Sequence, residues 1–161
     1  MASEAKERTR LVAVTLDESS IGRGNPDQEH ERAIAIYDIL EENTFSLPNY
    51  DGGPYGLRIS LIEKKLCFEV TAQDGRHLVS HHLSLTPFNQ VVKDYFQICE
   101  SYFDAVKRLP PAQIEAIDMG RRGIHDEGSR ILLERLEGKV ETDMATARRL
   151  FTLICALIVR G

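Results

Sequence analysis

The stretch GLRISLIEKKLCFEVTAQDGRHLVSHHLSL, Gly56 to Leu85, decides the fold class. Its apolar residues fall on alternate positions, Leu57, Ile59 and Leu61, then Leu66, Phe68 and Val70. That is the period of a strand with one buried face. Glu63-Lys64-Lys65 and Asp74-Gly75 interrupt the alternation, and Asp-Gly is a strong hairpin signal. A third strand follows near His77 to Leu85. Three strands joined by short turns predict an antiparallel meander.

On the N-terminal side, Pro48 to Pro54 (PNYDGGP) is the clearest loop in the chain. Before it, Asn25-Pro26 starts a helix, with Asn25 as N-cap, Pro26 at the first position and Gln28 at the third. Ala33, Ile36, Tyr37 and Leu40 give that helix an apolar face, and it runs to about Asn43. Asp17 to Gly24 reads as a loop, and Leu11 to Leu16 (LVAVTL) as a short strand.

On the C-terminal side, Thr86-Pro87 opens a helix as N-cap and first residue. Phe88, Val91, Val92, Tyr95, Cys99, Tyr102, Phe103 and Val106 form its wide apolar stripe. Pro110-Pro111 separates it from a helix running from about Ala112 to Gly138. Thr142 or Asp143 caps a last helix to about Val159. From Leu150 to Val159 that helix is apolar nearly all round, so it is central or covered by a partner chain. The order β-α-β-β-β-α-α-α indicates an α+β fold: a small antiparallel β-meander packed against three to four helices, with a helical C-terminal half.

Composition narrows the function classes. A chain of 161 residues is expected to form one domain, here residues 10–161, behind a flexible N-terminal arm over residues 1–9. A net charge of -5 argues against nucleic-acid binding, where basic patches dominate affinity. No apolar run approaches the ~18–20 residues that span a bilayer. The charged opening MASEAKERTR has no apolar core of a secretory signal, so a cytoplasmic location is expected. Cys67, Cys99 and Cys155 are odd in number and far apart, which fits reduced packing residues rather than disulfides. No cofactor is expected.

Charge is uneven along the chain. Residues 1–53 hold 11 acids against 5 bases, whereas residues 110–161 hold 8 of each, and seven of those eight bases are Arg. Arginine favours fixed bidentate geometry over mere solvation.

Several motifs fall short of chemistry. Gly22-Arg23-Gly24 precedes a helix but lacks the third Gly of a dinucleotide fingerprint and the Lys of a P-loop. Asp27, Glu29 and Glu31 would repel an anion there, so a capped turn is the plainer reading. His30-Glu31 begins a zinc-protease pattern that fails because residue 34 is Ile. His81 and His82 point to opposite faces of a strand and cannot share one ion, and no metal site is expected.

The densest stretch is DMGRRGIHDEGS, Asp118 to Ser129. On one helix, Asp118, Arg122, His125 and Ser129 follow the spacing of a single face. Gly120, Gly123 and Gly128 each cost about 0.8–1 kcal/mol relative to Ala inside a helix. Close helix packing, close ligand approach or a helix break would each account for them. A second pair, Arg148-Arg149, opens the last helix. If the last two helices form a hairpin, Arg121, Arg122, Arg148 and Arg149 converge on one phosphate or carboxylate. His125 could then move protons, with Asp118 or Asp126 orienting it. The plainer alternative is that these arginines pair with neighbouring carboxylates inside the fold. No nucleophile is identifiable beside the histidine, so turnover stays open.

The strings IGRGNPDQEHERAIAIYDILEEN, LSLTPFNQVVKDYFQICESYFDAV, QIEAIDMGRRGIHDEGS and TARRLFTLIC resemble an uncharacterised bacterial family of alphaproteobacterial type, UPF0262. The resemblance runs from about Thr15 to Arg160. It implies a small cytoplasmic protein and assigns no activity, cofactor or catalytic residue.

Two functions from different classes therefore follow from the residues. One is a non-catalytic regulatory or protein-interaction domain, motivated by the aromatic-rich helix Phe88 to Phe103. Its partner would be a protein, or a second copy held through the C-terminal helix. The other is a small-anion binder or enzyme built on Arg121, Arg122, His125, Arg148 and Arg149, supported by Asp118, Asp126 and Ser129.

Overall fold

The computed structural model describes residues 7–50 and 52–158. The strands are β1 (Leu11–Leu16), β2 (Phe45–Ser46), β3 (Tyr55–Ile62), β4 (Lys65–Ala72), β5 (His77–Ser84) and β6 (Glu141–Thr142). The helices are α1 (Glu18–Ile21), α2 (Pro26–Glu41), α3 (Asn89–Arg108), α4 (Pro111–Leu136) and α5 (Met144–Leu157). Most of the flexible arm expected over residues 1–9 lies outside the described residues. Within it, the Thr9 carbonyl accepts from Phe45 N at 2.9 Å.

The meander forms as the alternation predicts: β3 pairs antiparallel with β4, and β4 with β5. Leu57, Ile59, Leu66, Phe68, Val70 and Leu83 are buried on its inner face. The register sets His81 opposite Phe68 and His82 opposite Cys67, so the two histidines do lie on opposite faces. The sheet also has a fourth strand. β1 lies beside β3 and parallel to it, giving the order β1-β3-β4-β5. A parallel neighbour needs a crossover of a dozen or more residues, and the segment carrying α2 supplies it.

Local chemistry sets the helix starts. Asn25 Oδ1 accepts from Gln28 N at 2.8 Å and Gln28 Oε1 accepts from Asn25 N at 2.9 Å, a complete capping box. Gly22 to Gly24 is the turn that leads into it, and Gly24 N donates to Glu29 Oε1 at 2.7 Å. Asp143 caps α5 by accepting from Thr146 N at 2.8 Å.

Three local expectations are corrected. Asp17 to Gly24 is not all loop, because α1 forms one helical turn within it. Thr86 does not cap α3; Thr86–Phe88 is a 3-10 turn that feeds it. The buried face of α2 is Arg32, Ala35 and Ile39, while Ala33 and Tyr37 are exposed.

α5 is the central helix. Leu150, Phe151, Leu153 and Ile154 are fully buried, between α2 on one side and α4 on the other. Each such side chain contributes about 1.5–3 kcal/mol. From Leu150 to Leu157 the run, Thr152 apart, is thus covered inside the chain without a second copy, and Val159 lies outside the described residues. Arg32 of α2 closes the end of α5: it is 4% exposed, and its Nε donates to the Ala156 carbonyl at 2.9 Å. Its Nη1 donates to the Gly22 carbonyl at 2.9 Å and meets Glu29 Oε1 at 3.1 Å. A cation at a helix C-terminus is favoured by the helix dipole.

Candidate functional site

α4 and α5 run antiparallel and touch at Gly128, whose missing side chain lets the Phe151 ring lie against the α4 backbone. Gly120 is close to Ile98 of α3, where an added Cβ would stand 3.0 Å from Cδ1. Helix packing therefore explains two of the three glycines. Gly123 has nothing within 4 Å, so packing gives no reason for it.

This packing brings the two arginine clusters together in part. Tyr95, Arg121, Arg122, His125, Asp126, Arg148 and Thr152 line one open pocket of about 460 Å³. Asp118 sits behind them and holds two guanidinium groups, Arg121 at 2.5 Å and Arg122 at 2.9 Å. These partners hold the Asp118 carboxyl below its usual range, Arg121 most strongly. Arg148 Nε donates to Asp126 Oδ1 at 2.8 Å. The Arg121 guanidinium also lies 4.9 Å over the Tyr102 ring, within cation–π range.

Arg149 is not brought to this pocket. It follows Arg148 by one residue, which turns it about 100° round the helix. It instead meets Glu42 Oε2 at 3.6 Å and lines a separate cavity with Arg10, Asp38 and Asn43. Ser129 also turns away: it is fully buried, and its Oγ donates to the His125 carbonyl at 2.8 Å.

His125 lies between aromatic rings, 5.3 Å from Tyr95 and 5.2 Å from Phe151 by ring centroid. Its Nε2 is 2.8 Å from Thr152 Oγ1, whose hydroxyl donates to the Arg148 carbonyl at 3.1 Å. One hydroxyl hydrogen cannot serve both, so Nε2–H donates to Thr152. Burial lowers the His125 pKa; Asp126 opposes this, and the Arg148 and Arg121 cations add to it. His125 is therefore neutral at pH 7, and the positive charge of the pocket comes from arginine alone. Burial pushes the Tyr95 phenol up to about 12, so it stays protonated. Three guanidinium groups face two carboxylates, which leaves a modest excess of positive charge in a largely self-paired network.

A second feature adjoins the first. α2 and α3 form the walls of an apolar groove of about 320 Å³ whose floor is α5. Ala35, Phe96, Cys99, Cys155 and Ala156 line its depth. Ile34 stands on one wall, 47% exposed, and Phe103 on the other, 68% exposed. Tyr37 and Val106, one turn further along each helix, are exposed as well. Of the α3 apolar stripe, Val91 and Val92 are buried, Tyr95, Cys99 and Tyr102 are half-buried, and Phe103 and Val106 are exposed. Sequence reasoning missed this groove and the role of Thr152 beside His125. Ile34 lies off the face of α2 that apolar spacing had selected, and nothing in the sequence pairs α2 with α3.

Comparison with known proteins places the chain among close relatives. The model of an uncharacterised protein family (UPF0262) matches residues 8–160. A UPF0262 protein of Nitrobacter winogradskyi is 59% identical over 159 residues, 99% of this chain and 95% of the relative. One from Agrobacterium fabrum is 58% identical over 152 residues, 94% of this chain and 96% of the relative. One from Methylobacterium radiotolerans is 57% identical over 161 residues and covers both chains completely. No solved structure matches the chain significantly.

Proposed function

Because the chain belongs to the uncharacterised protein family UPF0262, whose name assigns no chemistry, we propose its role from its own surface: a non-catalytic regulatory or protein-interaction domain of the cytoplasm. The observation that carries this is the α2/α3 groove, an apolar channel with Ile34 and Phe103 left exposed on its two walls. Contiguous exposed apolar surface rimmed by polar residues marks interaction sites. Grooves between helices are a recurring receptor for partner helices. Among the described residues no helix is long and apolar enough to cross a membrane, which fits a soluble role.

The test is a photoreactive phenylalanine analogue placed at position 103 in cells, with position 62 as a control. Ile62 is 50% exposed and lies at the β3–β4 turn, outside the groove lining. A discrete crosslinked species is expected from position 103 and not from position 62. Ile34→Glu should reduce it at least tenfold. Equal crosslinking from both positions, or indifference to Ile34→Glu, would sink the reading.

A second reading rests on the arginine pocket, where Arg121, Arg122 and Arg148 approach one space. Under it, phosphate or citrate at ten times its Kd adds about 1.4 kcal/mol of stability. That raises Tm by about 3–6 °C for a chain of this size. Arg122→Ala combined with Arg148→Ala should abolish the shift. No shift in the wild type would leave the arginines as a structural network.

A further inference from the structure

The groove and the arginine pocket are continuous, since Tyr95, Arg121 and Thr152 line both. Their charges differ. Glu31, Asp38 and Glu100 are the carboxylates along the groove. Arg121, Arg122 and Arg148 dominate the adjoining pocket, where Asp126 is the lining carboxylate. The surface is thus an apolar channel with acidic sides that opens at one place onto cations.

The α3 helix offers two apolar seams to neighbours. Ile98, Tyr102 and Ala105 lie toward α4, where Ile98 approaches Gly120 and Tyr102 stacks on Arg121. Phe96, Cys99, Phe103 and Val106 form a second seam, spaced three, four and three residues apart. That is the spacing with which one helix packs along another. The first two residues of this seam are partly buried over α5, and the last two are exposed.

We infer that the groove receives an amphipathic α-helix of a partner protein, with basic flanks and its C-terminal end over the arginine pocket. This rests on the interaction reading and names the partner's chemistry. The seam on α3 and Ile34 on α2 meet the apolar face of the incoming helix. Lysine or arginine beside that face complements Glu31, Asp38 and Glu100, and such complementarity selects partners and register. The C-terminal end of a helix carries unpaired carbonyls and partial negative charge, which suits the guanidinium groups. A basic partner also suits a chain of net charge -5, which a second copy would repel.

The test uses synthetic 15-residue helical peptides followed by fluorescence anisotropy. One carries a Leu face, Lys flanks and a free C-terminal carboxylate; a second replaces the Lys by Glu; a third amidates the C-terminus. The Lys peptide should bind at least tenfold more tightly than the Glu peptide. The free carboxylate should bind about threefold more tightly than the amide, and that ratio should fall to one in Arg122→Ala/Arg148→Ala. Phe103→Glu should abolish binding, with an unchanged melting temperature to show that the exposed position leaves the fold intact. Equal binding of the Lys and Glu peptides, or undiminished binding by Phe103→Glu, overturns the inference. A concentration-dependent dimer in sedimentation that Phe103→Glu dissolves also overturns it, in favour of a second copy, and leaves the interaction reading standing. No peptide binding, no dimer and no crosslink from position 103 would remove both.

Discussion

Gly128→Ala is expected to destabilise the protein by about 3 kcal/mol and to lower Tm by about 6–12 °C. A Cβ at residue 128 would fall inside van der Waals contact with three ring atoms of Phe151. The ring cannot swing aside, because Phe151 is fully buried and also packs edge-on against Tyr95 and His125. Alanine would otherwise favour the helix by about 0.8–1 kcal/mol, so the net loss understates the clash. Thermal melts of Gly128→Ala, Phe151→Leu and the double variant test the cause. The double variant should be at least about 1 kcal/mol more stable than the sum of the single losses, the coupling expected of residues in contact. Additive losses, or an unchanged Tm in Gly128→Ala, would mean that α4 and α5 do not meet as described. The arginine pocket depends on that meeting.

Arg32→Met should cost about 3 kcal/mol or more, and Arg32→Lys should recover little of it. The substitution strands the Ala156 carbonyl in the buried interior, which costs about 1–3 kcal/mol, and it also removes the charge-assisted bond to the Gly22 carbonyl at the surface, worth about 1.5–3 kcal/mol. Removing the cation also takes a favourable charge from the end of α5. Lysine carries a point charge on a flexible stem and cannot present the same rigid fork of donors. Urea unfolding of the three proteins checks this. A loss under 0.5 kcal/mol in Arg32→Met, on the scale of ordinary surface changes, would show that Arg32 does not close the helix.

The position of Arg32 explains why part of the fold was legible and part was not. The meander was readable because β3 and β4 carry most of their apolar side chains on one face, Leu57, Ile59 and Leu61 against Leu66, Phe68 and Val70, so period two survives in the residues. For α2 the same logic found only the edge of the buried face: Ile36 and Leu40 pack partly buried against the core, while Ala33 and Tyr37 are exposed. Its fully buried stripe is Arg32, Ala35 and Ile39, continued just past the helix end by Asn43, and two of those four residues are polar. Asn43 is nearly buried because its amide donates to the Leu11 and Ile39 carbonyls while its oxygen accepts from Leu11 N. Apolar counting cannot see a buried residue that is satisfied by backbone. It selected Ala33, Ile36, Tyr37 and Leu40, about one residue further round the helix. The LVAVTL run announced a strand but not its parallel partner, which is fixed by the crossover rather than by composition.

The candidate site divides in the same way. Asp118, Arg122 and His125 share a face by simple helical spacing, and the structure keeps them together. The arrival of Arg148 and the departure of Arg149 depend on how α5 is turned against α4, a matter of the Gly128–Phe151 contact. The groove is less legible still, since its walls are about sixty residues apart in the chain and its floor is a third helix.

We propose the α2/α3 groove as the recognition surface. The most direct measurement is a titration of the isotope-labelled protein with the Lys-flanked peptide, followed by amide chemical shifts. Saturable shifts are expected to concentrate at Ile34, Ala35, Phe96, Cys99, Phe103, Cys155 and Ala156, and to be lost in Phe103→Glu. Shifts scattered over the acidic residues of the first third, or centred on the outer face of the sheet at Arg58, Glu69 and His82, would contradict it.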